Sequence, residues 1–450
     1  MKNFTLFLIF SLSSFLTFSQ YIEGKVLDAQ TNKPVEGVNV FMKGINRGAI
    51  TNEKGNYYLK FPYKIVKNDV IRFSHIAYKE LEIPYNQNKK NYSVNLLIDL
   101  KKLEEIRISE NRNLKKSISY KKLSSMKRGV YSFGSALYND KIYVVGGDAS
   151  YEIDGWIQTL DNYPDTDNLG DFLKKVKTNY FAQIYLNDIQ VYDIKTDNWN
   201  KIDIPNLRKR AYHSINIYNN KMYILGGKWL SKGRKYEYLE DKIEIVDLKN
   251  NAIEIDYTNP HQGVGFDTYN YKDYMIVLGG SIKKKNNGFK EYSNKVHLYD
   301  LKTGNWYQIG NMPIAKEVKG ILINDKIYLI GGFNKKPLAG IETFDLLTQK
   351  WKKEGSLFYG IRKPAISLKD NIIYFFEDGK ISTYNVLTKE LNEYLIDLFL
   401  EASEMYYAND KLYILGGFRK NNYSLYPSKG LFSIDISEFD TTKIHNLKTL

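Results

Sequence analysis

Apolar and polar residues alternate in short runs through most of the 450-residue chain, the period of strands with one buried face. In the second part of the chain the apolar runs lengthen, gain aromatics and repeat. Lys141-Ile142-Tyr143-Val144-Val145-Gly146-Gly147 returns as Lys221-Met222-Tyr223-Ile224-Leu225-Gly226-Gly227. It returns again as Tyr274 to Gly280, Lys326 to Gly332 and Lys411 to Gly417, while a further copy, Asn371 to Phe376, runs into Glu377-Asp378. A buried run closed by Gly-Gly predicts a strand ending in a bend where backbones crowd together. A second phrase follows each copy: Tyr192-Asp193, Val246-Asp247, Tyr299-Asp300, Phe344-Asp345, Tyr384-Asn385 and Ile434-Asp435. Six residues beyond the Asp or Asn stands Trp199, Ile253, Trp306, Trp351 or Leu391.

Spacing separates a fixed half of this unit from an elastic one. From the Asp or Asn of one copy to the first Gly position of the next is 33, 32, 31, 32 and 31 residues. From that Gly position to its own Asp or Asn is 47, 21, 21, 14, 8 and 19. Constant spacing predicts strands held in register by packing; variable spacing predicts surface loops that accept insertions. The longest loop, residues 148–186, is therefore expected to be separable from the core, with weak helical character over 171–185.

The Gly-Gly, Tyr-Asp and Trp offsets resemble the kelch repeat. Six copies then imply an all-β fold, a six-bladed kelch β-propeller of four-stranded blades over residues 119–450. Tyr120, Leu123 and Met126 repeat the offsets of Trp306, Ile309 and Met312. The segment Tyr120–Met126 is therefore expected to supply the outermost strand of the last blade and close the ring; Ile444-His445-Asn446-Leu447 competes for that slot.

Residues 20–98 read as a small β-sandwich preceding the propeller. Ile22–Asp28, Val38–Phe41, Tyr57–Pro62 and Ile71–Tyr78 alternate as short strands between turns. Gly24, Asp28, Pro34, Gly37, Thr51, Gly55, Tyr58 and Tyr78 make this stretch similar to the carboxypeptidase regulatory-like domain of the Bacteroidetes type. That resemblance implies spacing or docking, with no catalytic signature. Residues 99–118 are expected to be a charged linker. Residues 1–19 carry Lys2, an apolar core from Leu6 to Leu16 and Thr17-Phe18-Ser19, the pattern of a signal peptide. The mature chain is thus expected to begin at Gln20 and to be exported, periplasmic or associated with the outer membrane.

Composition narrows the chemistry. With no Cys, disulfides, thiolate metal sites and a cysteine nucleophile are excluded. The copper-radical oxidase chemistry known among kelch propellers needs a Tyr–Cys crosslink and is excluded too. The net charge of +14 is concentrated: residues 101–127 hold nine Lys or Arg and three Asp or Glu, whereas residues 128–450 are near balance at +3. No basic stripe for nucleic acid results. The five His show no metal-ligand spacing. Asp165, Asp167 and Asp171 alternate before a possible calcium turn, but Leu169 and Val176 occupy ligand positions; no metal or other cofactor is expected.

Since strands alternate in direction, the loop leading into each blade and the loop after its Gly-Gly open on one side. The leading loops offer Arg128, Tyr131, Arg208, Arg210, Tyr212, His213, Lys316 and Arg362; the loops after Gly-Gly offer Asp148, Lys228, Trp229, Phe333 and Arg419. Converging Arg and aromatic side chains suit anionic ligands. The expectation is a monomeric binding or scaffolding protein that captures an anionic protein or glycan in the cell envelope. The alternative implied by the resemblance is a kelch-fold mutarotase or epimerase acting on an acidic sugar.

Overall fold

The computed structural model describes residues 20–42, 47–61, 69–75, 77–99, 114–163, 168–284 and 290–450. The signal-peptide region, most of the charged linker, and Asp165 and Asp167 lie outside the described residues. The chain divides into two compact units, Met1–Asn113 and Leu114–Leu450.

In the first unit, Gln20–Asp28 pairs with Asn56–Phe61 on one side and Val94–Leu96 on the other. A second sheet runs Arg47–Ile50, Asn39–Met42, Val70–His75, Tyr78–Pro84. Alternate residues Ile22, Val26, Val40, Leu59, Phe61, Ile71 and Phe73 enclose one core, as the period-2 pattern requires. The stretch expected as one strand over Ile71–Tyr78 is in fact two, because the chain turns between His75 and Tyr78. That turn brings the Tyr78 hydroxyl to donate to Asp28 Oδ2 at 2.9 Å. Asp28 Oδ1 accepts from the backbone N–H groups of Gln30 and Thr31, fixing the first turn. These contacts explain why Asp28 and Tyr78 belong to one motif.

The second unit contains six blades, each built on four antiparallel strands; three of them carry a fifth strand. In blade one the strands are, from inner to outer, Gly134–Tyr138, Lys141–Asp148, Tyr185–Asp193 and Asn198–Ile202. Blades two to five repeat this order along the chain. The first two strands of every blade join through tight turns with positive φ at Asn139-Asp140, Asn219-Asn220, Lys272, Asn324, Asp370 and Asn409-Asp410. Asn and Asp tolerate that conformation best. The Tyr-Asp phrase ends the third strand. Its Asp caps the next turn, as when Asp193 Oδ1 accepts from Lys195 N and Thr196 N. Trp199, Trp306 and Trp351 lie against Tyr192, Tyr299 and Phe344 at 4.8–5.2 Å between ring centroids.

The Gly-Gly bend serves close packing between blades. Gly226 and Gly227 have φ of 61° and 83°, and a Cβ on Gly226 would lie 2.5 Å from the Phe266 ring of blade three. Blade five lacks Gly-Gly for a topological reason. Its elastic loop has shrunk to the two-residue turn Asp378-Gly379, which joins the register pair Glu377 and Lys380 directly.

Blade six is Glu404–Ala408, Lys411–Leu415 and Leu431–Asp435, completed by Lys121–Lys122 from the N-terminal side of the unit. Register pairs Phe432 with Lys122 and Ser433 with Lys121, and Met126 is buried behind this strand. The ring thus closes through the N-terminal strand. The competing segment goes elsewhere: Asn446–Thr449 adds a fifth strand to the outer edge of blade five.

The 148–186 insertion is more tightly held than its length variation suggests. It folds into Tyr151–Ile153, helix α1 (Gly155–Asn162), helix α2 (Leu169–Lys175) and Tyr180–Ala182. Tyr151–Ile153 pairs with Tyr180–Ala182 and also with Ser424–Pro427 of blade six. A small sheet therefore crosses the seam where the ring closes. The helical stretch expected over 171–185 begins earlier, and its second half is extended.

Candidate functional site

One register rule places the leading loops beside the loops that follow Gly-Gly. Tyr131 bridges Asp148, Ala211 bridges Lys228, Glu317 bridges Phe333 and Glu401 bridges Phe418. Both loop sets therefore share one side of the ring, as the alternation of strand direction requires.

Three of the residues expected there point inward instead. Arg210 is 1% exposed; its guanidinium pairs with Glu244 and donates to Gly226 O at 3.3 Å. Lys316 is equally buried and donates to Glu342 Oε2 at 2.6 Å and Gly331 O at 3.1 Å. These cations clamp the leading loop to the bend of their own blade rather than projecting from the face. His213 is also buried, and burial beside Arg210 holds its pKa well below the ordinary histidine value.

In blade three histidines make the same clamp. His261 Nε2–H donates to Gly279 O at 2.8 Å, which leaves Nδ1 to accept from His297 Nδ1–H at 2.8 Å. Blade one uses Gln190, which accepts from Lys127 N at 3.0 Å. All four third-strand partners, Gln190, Glu244, His297 and Glu342, stand three residues before the Asp of the Tyr-Asp phrase. A polar residue at that offset in an apolar strand was the available signal for a buried partner.

Burial pushes His261 and His297 down to about 4. Unfolded, both titrate near 6.5. The unfolded chain therefore binds more protons between pH 6.5 and 4, and stability falls as pH is lowered through that window. Melting temperatures measured from pH 7.5 to 4.5 should drop, and His261→Gln/His297→Gln should flatten that drop. An unchanged slope would refute the neutral pair.

Most of the other expected residues stay near the surface, whereas Tyr131 and Asp148 are buried. Arg362 is about half exposed; it lies 4.3 Å over the Phe333 ring and 3.1 Å from Glu317 Oε2. Arg208 lies over Trp229 at 4.4 Å and pairs with Glu240 at 2.8 Å. Lys228 pairs with Glu237 at 2.7 Å over the Tyr212 ring. Tyr131 packs edge-on against Phe418, and Tyr212 donates to Asp148 Oδ2 at 3.3 Å. Arg419 lines a cleft shared with Asp378, Asp397 and Glu401. Asp171, offered as a calcium ligand, sits in the first turn of α2 and pairs with Lys174 at 3.0 Å.

Two concavities bear on chemistry. The central channel, about 390 Å³, is lined by the inner strands. Gly134, Ser214, Asp267, Lys319, Ala365 and Glu404 each stand 12 residues before their blade's Gly position, so one ring position carries three charges the sequence reading missed. One ammonium here faces two carboxyl groups: Lys319 lies 2.8 Å from Glu404 Oε2 and 4.0 Å from Asp267 Oδ1.

The second concavity is different. A cleft of about 730 Å³ beside the start of blade two is lined by Arg128, Lys209, Lys232 and Arg234, with no Asp or Glu in its wall. Arg128 is 62% exposed and reaches Asp188 only at 4.0 Å. Among the described residues no ion pair is formed by Lys209, Lys232 or Arg234. Setting these four cations aside changes the net charge of residues 128–450 from +3 to −1. Among the described residues, this cleft gathers four cations with no carboxylate in its wall. Of its four cations only Arg128 was anticipated; Lys232 and Arg234 fall in an elastic loop whose positions spacing does not fix, and Lys209 sits in the leading loop between Arg208 and Arg210.

Comparison with known proteins agrees with this architecture. Residues 22–108 match the CarboxypepD_reg-like domain, residues 180–317 the KLHDC2/KLHL20/DRC7 Kelch-repeats domain and residues 321–357 the Kelch motif. Kelch-like protein 38 of Homo sapiens is 21% identical over 265 residues, covering 57% of this chain and 44% of that protein. Alpha-scruin of Limulus polyphemus is 22% identical over 217 residues, covering 46% and 23%. The chain thus spans less than half the length of these curated relatives. The solved structure of YjhT superposes with a TM-score of 0.50 at 14% identity, covering 70% of this chain and 99% of that one, a likeness of fold. On repeats, ring closure and these matches together, the chain is a kelch-repeat β-propeller protein with an N-terminal carboxypeptidase regulatory-like domain.

Proposed function

We propose that this protein is a binding scaffold of the cell envelope whose loop-bearing propeller face captures an anionic partner. The cleft of Arg128, Lys209, Lys232 and Arg234 carries this reading. Four like charges in one concavity repel one another, and an anion relieves that repulsion. The channel makes no such demand, because its wall holds Asp267, Glu317 and Glu404 against Lys319, Arg362 and Lys363. Export is supported by the Lys2–Ser19 pattern and by the regulatory-like match, a domain typical of exported proteins. Among the described residues no helix is long and apolar enough to cross a membrane.

The test is titration of polyglutamate, as an anionic probe, into the wild type and the double variant Arg128→Ala/Arg234→Ala. Loss of two charge-assisted contacts should weaken binding roughly ten- to a hundredfold, on the scale of about 1.5–3 kcal/mol. Raising the salt concentration should weaken wild-type binding as well. The melting temperature should hold, since these side chains are exposed. A variant that binds as tightly as wild type refutes the anion site. A catalysed anomer exchange of an acidic sugar, followed by NMR, would replace this reading with the enzymatic one.

A further inference from the structure

The walls of the cationic cleft continue into aromatic surfaces on both sides. Ala149 and Gln183 line the cleft, and the strands Tyr151–Ile153 and Tyr180–Ala182 extend directly from them. There the rings of Tyr180, Tyr151 and Tyr426 form a row. Successive centroids lie 5.3 and 6.2 Å apart, with planes within 23° and 15° of parallel. Tyr180 is 52% exposed and Tyr426 45%. On the opposite wall Leu230 lines the cleft and ends the hairpin strand Lys228–Leu230. Trp229 of that strand lies 4.8 Å from Tyr238, which is also exposed. Rigid aromatics offer flat, amphipathic faces at low entropic cost when a ligand docks.

A partner that uses both features carries negative groups and flat, partly apolar rings. We infer that it is an acidic polysaccharide. Its sulfate, phosphate or carboxylate substituents would seat among Arg128, Lys209, Lys232 and Arg234, and its sugar rings would lie on the tyrosine row. An acidic peptide supplies the charge but no regular succession of rings. A single-stranded nucleic acid supplies both, but needs positive charge along its whole backbone track. Here the track beyond the cleft is of mixed charge: Tyr426, at the far end of the row, shares a concavity with Arg419 and Lys420 but also with Asp378, Asp397 and Glu401. This inference rests on the anion reading above and adds the identity of the ligand's scaffold.

The experiment measures binding of the full chain to heparin, alginate, neutral dextran, polyglutamate and an oligothymidylate. Heparin and alginate represent sulfate- and carboxylate-bearing sugars. The expected result is that at least one of them binds tenfold or more tightly than polyglutamate, with dextran not retained. Tyr180→Ala/Tyr426→Ala should weaken that binding at least fivefold and leave polyglutamate binding and melting temperature unchanged. Tyr180→Phe/Tyr426→Phe, which keeps the aromatic faces, should retain it. Polyglutamate or oligothymidylate binding as tightly as the polysaccharides overturns the inference, as does indifference of polysaccharide binding to loss of the tyrosines. Those outcomes leave the anion reading intact. Indifference of every ligand to Arg128→Ala/Arg234→Ala sinks both.

Discussion

Arg210→Ala should destabilise the propeller by about 3–5 kcal/mol, the usual effect of removing one partner of a buried ion pair. The guanidinium is the charge that compensates Glu244, and it also satisfies the Gly226 carbonyl. Its loss leaves a buried carboxylate without a counter-charge and a bend without its donor. In a unit of this size the melting temperature should fall by roughly 4–7 °C. Arg128→Ala, at an exposed side chain, should cost less than about 1 kcal/mol. The double variant Arg210→Ala/Glu244→Gln should recover part of the loss, because the orphaned charge is gone. Calorimetry of the four proteins decides the matter. Equal melting temperatures for Arg210→Ala and wild type would return Arg210 to the ligand-binding face.

A larger effect is expected from removing the closing strand. A chain starting at residue 128 lacks Lys121–Lys122 and uncovers the edge of Leu431–Asp435. It also loses Ile118 and Met126, both 2% exposed, each worth about 1.5–3 kcal/mol of apolar burial. An open ring with a bare, hydrophobic edge strand is prone to pair with other copies. Insoluble or oligomeric protein is therefore the expected outcome by light scattering. A chain starting at residue 114 should stay monomeric and cooperative. Deleting residues 446–450 removes a mostly exposed fifth strand from blade five and should cost far less. A soluble, cooperatively unfolding chain that begins at residue 128 would show that closure does not depend on this strand.

Much of the fold was legible because packing enforces spacing. The Gly position cannot drift when a Cβ would strike the next blade, and Trp306 cannot drift when it must cover Tyr299. The same logic located the closing strand, since Tyr120, Leu123 and Met126 had to meet fixed partners. The site was less legible. A cation 15 or 16 residues before a Gly-Gly bend serves equally well facing solvent or reaching inward. Arg210 and Arg362 look alike until Glu244, 34 residues further on, claims the first. The cleft was hidden for the opposite reason: Lys232 and Arg234 lie in a loop whose length no packing constraint sets.

The chain crosses itself where the propeller begins and ends. Lys115 N donates to Thr441 O and Lys443 N donates to Lys115 O, both at 2.9 Å, a parallel bridge braced by Lys115 Nζ on Glu438 at 2.7 Å. Parallel strands pulled by the N-terminal end of one and the C-terminal end of the other slide rather than peel. Tension between residues 114 and 450 reaches these bonds in shear once Asn446–Thr449 has left the edge of blade five. In a pulling experiment the crossing should behave as a latch, its two hydrogen bonds and its ion pair giving way together rather than one after another.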